Sequence, residues 1–102
     1  MKLIREKRIQ QMSDGDVYTV KKISEAEFIL YIKKEIPDLF AAAITEKSHE
    51  KIADLLEMIN NACDVVGIDW YECSKLKGNK RWEHGKYNSF VAKKIDVSDS
   101  EA

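Results

Sequence analysis

The sequence predicts a mainly α fold, an all-α helical hairpin or bundle with a small two-stranded β element. Three observations predict it. Apolar residues recur at spacings of three and four over 28–40 and again over 52–66, the period of one buried helix face. A serine able to cap a helix precedes each stretch, Ser24 and Ser48. Two short segments rich in β-formers, 17–23 and 89–92, stand outside these stretches and are the candidate strands.

Taken in order, Leu3, Ile4 and Ile9 alternate with Lys2, Arg5, Lys7 and Arg8, which predicts a short amphipathic helix over the first ten residues. Ser13-Asp14-Gly15-Asp16 is dense in turn formers and ends it. The edge strand 17–23 follows, with lysines that discourage further pairing. Ser24-Glu25-Ala26-Glu27 has the spacing of a capping box. It opens a helix whose apolar positions are Phe28, Ile29, Ile32, Ile36, Leu39 and Phe40. Pro37 lies inside this stretch and removes one helical hydrogen bond. The expectation is either a kinked helix over 24–46 or two helices meeting near residue 36. Ser48 begins the most regular helix, with Ile52, Leu55, Leu56, Ile59, Cys63 and Val66 on one face and Gly67 as its stop. Asp69-Trp70-Tyr71-Glu72 resembles a second capping box and predicts a helix to about Asn79. Residues 89–92 are the last strand, a partner for 17–23. The domain is read as 1–95, with 96–102 a frayed acidic tail.

The length of 102 residues fits one domain with a modest core. Seventeen Lys and Arg against eighteen Asp and Glu give a net charge of -1, which argues against binding polymeric nucleic acid or a membrane surface. Apolar runs such as Phe28–Ile32 are far too short to cross a bilayer. The opening MKLIREKRIQ lacks the apolar stretch of a signal peptide, so the reading is a cytoplasmic protein. Cys63 and Cys73 then read as reduced, buried thiols, with a disulfide as the alternative. His49 and His84 have no spaced partner for zinc. The sequence contains no phosphate-binding loop and no dinucleotide fingerprint.

The chemistry-bearing residues are acidic. Glu35 and Asp38 are three apart on one helix, and Glu50 and Asp54 four apart on the next. Each pair shares a helix face. Two antiparallel helices could turn them toward each other, and oxygen ligands suit a hard cation such as Mg²⁺. Solvated helix faces are the competing explanation. Lys75, Lys77, Lys80, Arg81 and Lys86 crowd a short stretch, either as a solvated run or as a phosphate clamp built on Lys80 and Arg81. Trp82 stacks on a base or covers the core. Asn61, two turns after Asp54, reads a base or ribose or satisfies a backbone group. Lys2, Arg5 and Lys7 bind phosphate or form salt bridges to nearby acids.

The order of these segments resembles a known family. Lys2-Leu3-Ile4-Arg5-Glu6-Lys7 is similar to the KLVRDK opening of small MazG-like proteins, which are predicted house-cleaning pyrophosphohydrolases related to phosphoribosyl-ATP pyrophosphohydrolase. Ile32-Lys33-Lys34-Glu35-Ile36-Pro37-Asp38 stands where the family has KLxEExxE, and Lys51-Ile52-Ala53-Asp54-Leu55-Leu56-Glu57-Met58-Ile59 where it has ELADVLEVI. Lys80-Arg81-Trp82-Glu83-His84-Gly85-Lys86-Tyr87 stands near its basic run and RGGF. The resemblance covers about residues 2–95. It implies a Mg²⁺-dependent enzyme that cleaves the α–β phosphoanhydride of a nucleoside triphosphate or related nucleotide and releases pyrophosphate, assembled as a homodimer or larger homo-oligomer. It implies catalytic carboxylates at Glu35, Asp38 and Asp54, which are also the metal ligands.

The fourth family carboxylate is Lys51 here, and the glutamate before the first pair is Lys34. Three consequences stay open. Glu50 replaces the missing metal ligand; Lys51 binds phosphate itself, with Asn61, Lys80, Arg81 and Trp82 as further substrate contacts; or the site is a relic in a nucleotide-binding or structural protein.

Overall fold

The computed structural model describes residues 2–11 and 20–95. The described residues are mainly helical: α1 over Glu6–Gln11, α2 over Glu25–Glu46, α3 over His49–Val66 and α4 over Trp70–His84. The chain divides into two compact units, Met1–Trp70 and Tyr71–Ala102.

In the first unit, α2 and α3 form a hairpin. Ser24 sits in extended backbone at φ -73° and ψ 164°, and its hydroxyl accepts the Glu27 N–H at 3.2 Å. The hydroxyl also donates to the Glu27 carboxylate at 3.3 Å, so the cap and its acidic partner hold each other. The helix then runs unbroken through Pro37 to Glu46. Of the two expected outcomes at Pro37, one helix is observed. Pro37 and Lys33 are exposed, so the carbonyl that loses its donor lies on the water side.

Lys47 takes the left-handed conformation, φ 52° and ψ 44°, and ends α2. The Ser48 N–H reaches back to the Ala43 carbonyl at 3.0 Å, and the Lys47 N–H to Ile44 at 3.3 Å. That pattern is a Schellman turn. Ser48 then caps α3 by accepting the Lys51 N–H at 3.1 Å. With two residues in the connection, α3 must fold back antiparallel on α2. Gly67, at φ 82°, ends α3 with its N–H on the Cys63 carbonyl.

The hairpin's core is thin. Only Ile32, Ala43 and Leu55 are buried among the described residues. Ala43 lies beside the turn, where its small side chain allows close approach. Ile32 lies eleven residues earlier on α2, about 16 Å along the axis. Phe28, Ile36, Leu39, Ile52, Ile59 and Cys63 are half-buried around this line. Leu30, Phe40, Ile44, Leu56 and Val66 remain exposed.

Several expectations need correction. The first ten residues do not form one helix: residues 2–5 are irregular, and α1 starts at Glu6. The small two-stranded β element is not seen among the described residues: 20–23 and 89–92 form no strand. A strand exists only where a partner satisfies its backbone groups, so neither segment can form one without the other. Residues 17–19, the 13–16 turn and the 96–102 tail lie outside the described residues. α4 passes through Gly78 and continues to His84, beyond the expected end at Asn79. A helical glycine costs only about 1 kcal/mol relative to alanine, too little to stop a helix by itself. Gly85, at φ 78°, ends it with its N–H on the Arg81 carbonyl at 2.9 Å. Cys63 and Cys73 are both free thiols, half-buried rather than buried.

Candidate functional site

The hairpin turns part of its acidic surface toward the N-terminal segment. On α2, Glu35 is half-buried, while Asp38, one turn on, is exposed. On α3, Asp54 is half-buried and Glu50 is exposed. Residues 2–5 reach both helices. The Leu3 backbone N–H donates to the two carboxylate oxygens of Glu35, at 3.1 and 3.3 Å. The Arg5 guanidinium donates to Asp54 Oδ1 at 2.7 Å. One short segment, residues 3–5, thus bonds to Glu35 of α2 and to Asp54 of α3.

The two contacts differ in strength. The Leu3–Glu35 bond is partly shielded from water and has a charged acceptor, and bonds of that kind contribute about 1.5–3 kcal/mol. The side chains of Arg5 and Asp54 are 61% and 50% exposed, which places their pair among surface ion pairs worth about 0.2–1 kcal/mol. The backbone bond to Glu35 is therefore the main anchor of the segment, and the ion pair sets its register.

The remaining predicted residues are placed as follows. Lys51 has its N–H on the Ser48 cap and its Nζ paired with the Glu46 carboxylate across the turn. Asn61 donates through Nδ2 to Glu57 Oε1 at 3.1 Å, one turn earlier on its own helix. Lys80, Arg81 and Trp82 are exposed on α4, Trp82 at 91%. Since α4 includes them, they are presented by a helix that runs past the expected end at Asn79.

Carboxylate oxygens are the right donors for Mg²⁺. They do not gather as a set here: among the described residues, no three acidic, histidine or cysteine side chains group as a cation site. Glu35 and Asp54 each already hold a donor from residues 2–5. Sequence reasoning left Arg5 open between phosphate and a salt bridge, and the salt bridge is the observed contact. It missed the Leu3 N–H, because a backbone donor leaves no trace in residue identity. It also missed Glu46, whose link to Lys51 spans a turn that only a structure can close.

Comparison with protein-family models, with curated proteins and with solved structures finds no match to this chain. No helix among the described residues is long and apolar enough to cross a membrane.

Proposed function

We propose that this chain is a nucleotide pyrophosphohydrolase of the MazG-like kind, cytoplasmic and homo-oligomeric, with Mg²⁺ as its cofactor and a nucleoside triphosphate or related nucleotide as substrate. One observation supports the reading: Glu35 of α2 and Asp54 of α3 both bond to the short segment 3–5. Their order and spacing resemble the family motif. Asp38 and Glu50 lie one turn from them on the same two helices. Bound there, Mg²⁺ would supply an activated water and shield the phosphates. The protein's part is to present carboxylates on two helices with the antiparallel register that the two-residue turn sets.

A second reading is nucleotide binding without turnover. Lys51 favours it, since it places an ammonium where the family motif has a carboxylate, and Glu46 holds that ammonium beside the hairpin turn. Self-association is supported by Phe40, Ile44, Leu56 and Val66, which stay half or more exposed on helices that already pack together. Light scattering on the pure protein should give a dimer or larger, and a monomer of 11.8 kDa at micromolar concentration would refute this part.

The test of function is pyrophosphate release from a panel of nucleotides with and without Mg²⁺, run beside Asp54→Asn. The hydrolase reading expects Mg²⁺-dependent release that Asp54→Asn abolishes. Calorimetric binding of a nucleotide without release selects the second reading. Neither binding nor release sinks both.

A further inference from the structure

We propose that residues 71–95 bind single-stranded nucleic acid, with aromatic side chains stacking on bases and the basic side chains between them pairing with phosphates. The net charge of -1 conceals two very different parts of the chain. Of the seventeen Lys and Arg, seven fall in 71–95, against two of the eighteen Asp and Glu. That stretch therefore carries +5 and the rest of the chain -6. Charge segregated in this way marks a polyanionic partner for one part that the whole-chain balance does not reveal. The aromatic rings of the same stretch stand in water: Tyr71, Trp82, Tyr87 and Phe90 are each at least 85% exposed. A single exposed apolar residue is ordinary, but four rings in so short a stretch mark an interaction surface.

The arrangement of rings and charges selects the partner. Tyr71, Lys75, Gly78 and Trp82 follow one another at spacings of four, three and four on α4, so they share one exposed face. Nothing lies within 4 Å of where a Cβ on Gly78 would stand, which leaves the helix surface open between Lys75 and Trp82. Those two residues are about 10 Å apart along the axis, room for a base to lie against the indole while its phosphate reaches the ammonium. Beyond Gly85, where the helix ends, Tyr87 and Phe90 stand in irregular backbone between Lys86 and Lys93. Rings and charges thus alternate along the whole stretch. A helix that lies on a membrane keeps its apolar residues on one side and its basic residues on the other. Here Lys75 sits between Tyr71 and Trp82, and Leu76 stands on another face. An acidic polypeptide would satisfy the charges alone. A single strand presents bases and phosphates in turn and uses both.

The experiment uses the full chain and fluorescence anisotropy of labelled oligothymidylate and oligouridylate, each of about 20 nucleotides, at low salt. Both should bind, and a tenfold rise in salt should weaken binding by about 100-fold, the slope for about three neutralised phosphates. Trp82→Ala should weaken binding by about 5- to 100-fold, while Trp82→Phe keeps a ring and should restore most of it. Trp82 is exposed, so both variants should fold, as circular dichroism would show. In a Trp70→Phe chain, Trp82 is the one remaining tryptophan, and the oligonucleotide should quench its fluorescence. That readout decides the question should Trp82→Ala fail to fold. Absence of oligonucleotide binding at low salt, affinity indifferent to Trp82→Ala, or Trp82 fluorescence unmoved by the oligonucleotide would overturn the inference. Polyglutamate bound as tightly as the oligonucleotides would reduce the surface to one that reads charge only, and would overturn it too. So would tighter binding to vesicles of phosphatidylcholine and phosphatidylserine than to either oligonucleotide, which would assign the surface to a membrane. None of these outcomes bears on pyrophosphate release, so this inference and the hydrolase reading stand or fall separately.

Discussion

Replacing Lys51 with glutamate tests the acidic face more sharply than removing an acid, because it asks for a gain. Lys51 and Asp54 are three apart on α3, so their side chains stand roughly 6 Å from each other. The substitution changes the charge beside Asp54 by two units. For a divalent ion at that distance in water the Coulomb change is about 2.8 kcal/mol, and screening at physiological salt roughly halves it. The expected outcome is therefore about a 10-fold gain in Mg²⁺ affinity. The cost to folding should be small. The Lys51–Glu46 pair is 37% and 52% exposed, which limits its contribution to about 0.2–1 kcal/mol, and the new repulsion from Glu46 is of similar size. Against this, a glutamate three residues after Ser48 completes a capping box and places negative charge in the first turn of α3, worth about 0.3–1 kcal/mol. Net stability should stay within about 1 kcal/mol, a shift of no more than about 8 °C in the melting midpoint. Calorimetry with Mg²⁺ and a thermal melt by circular dichroism measure the two quantities. A folded Lys51→Glu protein that binds Mg²⁺ no more tightly than the original would refute the placement of Lys51 beside a cation site. Weaker nucleotide binding in that same protein would favour binding without turnover.

Other expectations concern the scaffold. Leu55→Ala removes one of the three buried side chains, and urea denaturation should report a loss of about 2–3 kcal/mol, the low end for such changes because a thin core can partly collapse; a loss under about 1 kcal/mol would contradict the packing described. Pro37→Ala restores a donor to the α2 ladder and should raise stability by about 1–2 kcal/mol after allowing for proline's effect on the unfolded chain, so a less stable variant would show that the proline has a packing role. Lys47→Gly relieves the left-handed conformation at the hairpin turn and should add about 0.5–1 kcal/mol by the same measurement, with no gain meaning that the turn rearranges to fit its lysine.

Much of the helical hairpin was legible because its signals are local. Ser24 and Ser48 cap where their spacing to Glu27 and Lys51 places them, and Gly67 stops α3 where the apolar period ends. Cap, period and stop each act within a turn or two of the chain, so residue identity carries them. Where two local signals compete, identity is not enough. The end of α4 expected near Asn79 falls instead at Gly85, where φ is positive, while the helix runs through Gly78. Pro37 weakened the expectation of one helix, yet α2 continues because its remaining hydrogen bonds and its packing on α3 outweigh a single lost donor.

By itself the sequence determined the helical class, the antiparallel pairing of α2 and α3 through a two-residue turn, and the acidic residues on each helix. These follow from short-range spacing and from the chain's inability to cross far in so few residues. Tertiary structure alone decided which carboxylates the N-terminal segment holds. Glu35 and Leu3 are 32 residues apart, and Asp54 and Arg5 are 49 apart. No local preference encodes contacts of that range: they arise only after α2 and α3 have packed and an irregular N-terminal segment has found backbone and side-chain partners across them. The same long-range dependence explains the absent β element among the described residues, since a strand's backbone groups are satisfied only by a neighbour distant in sequence.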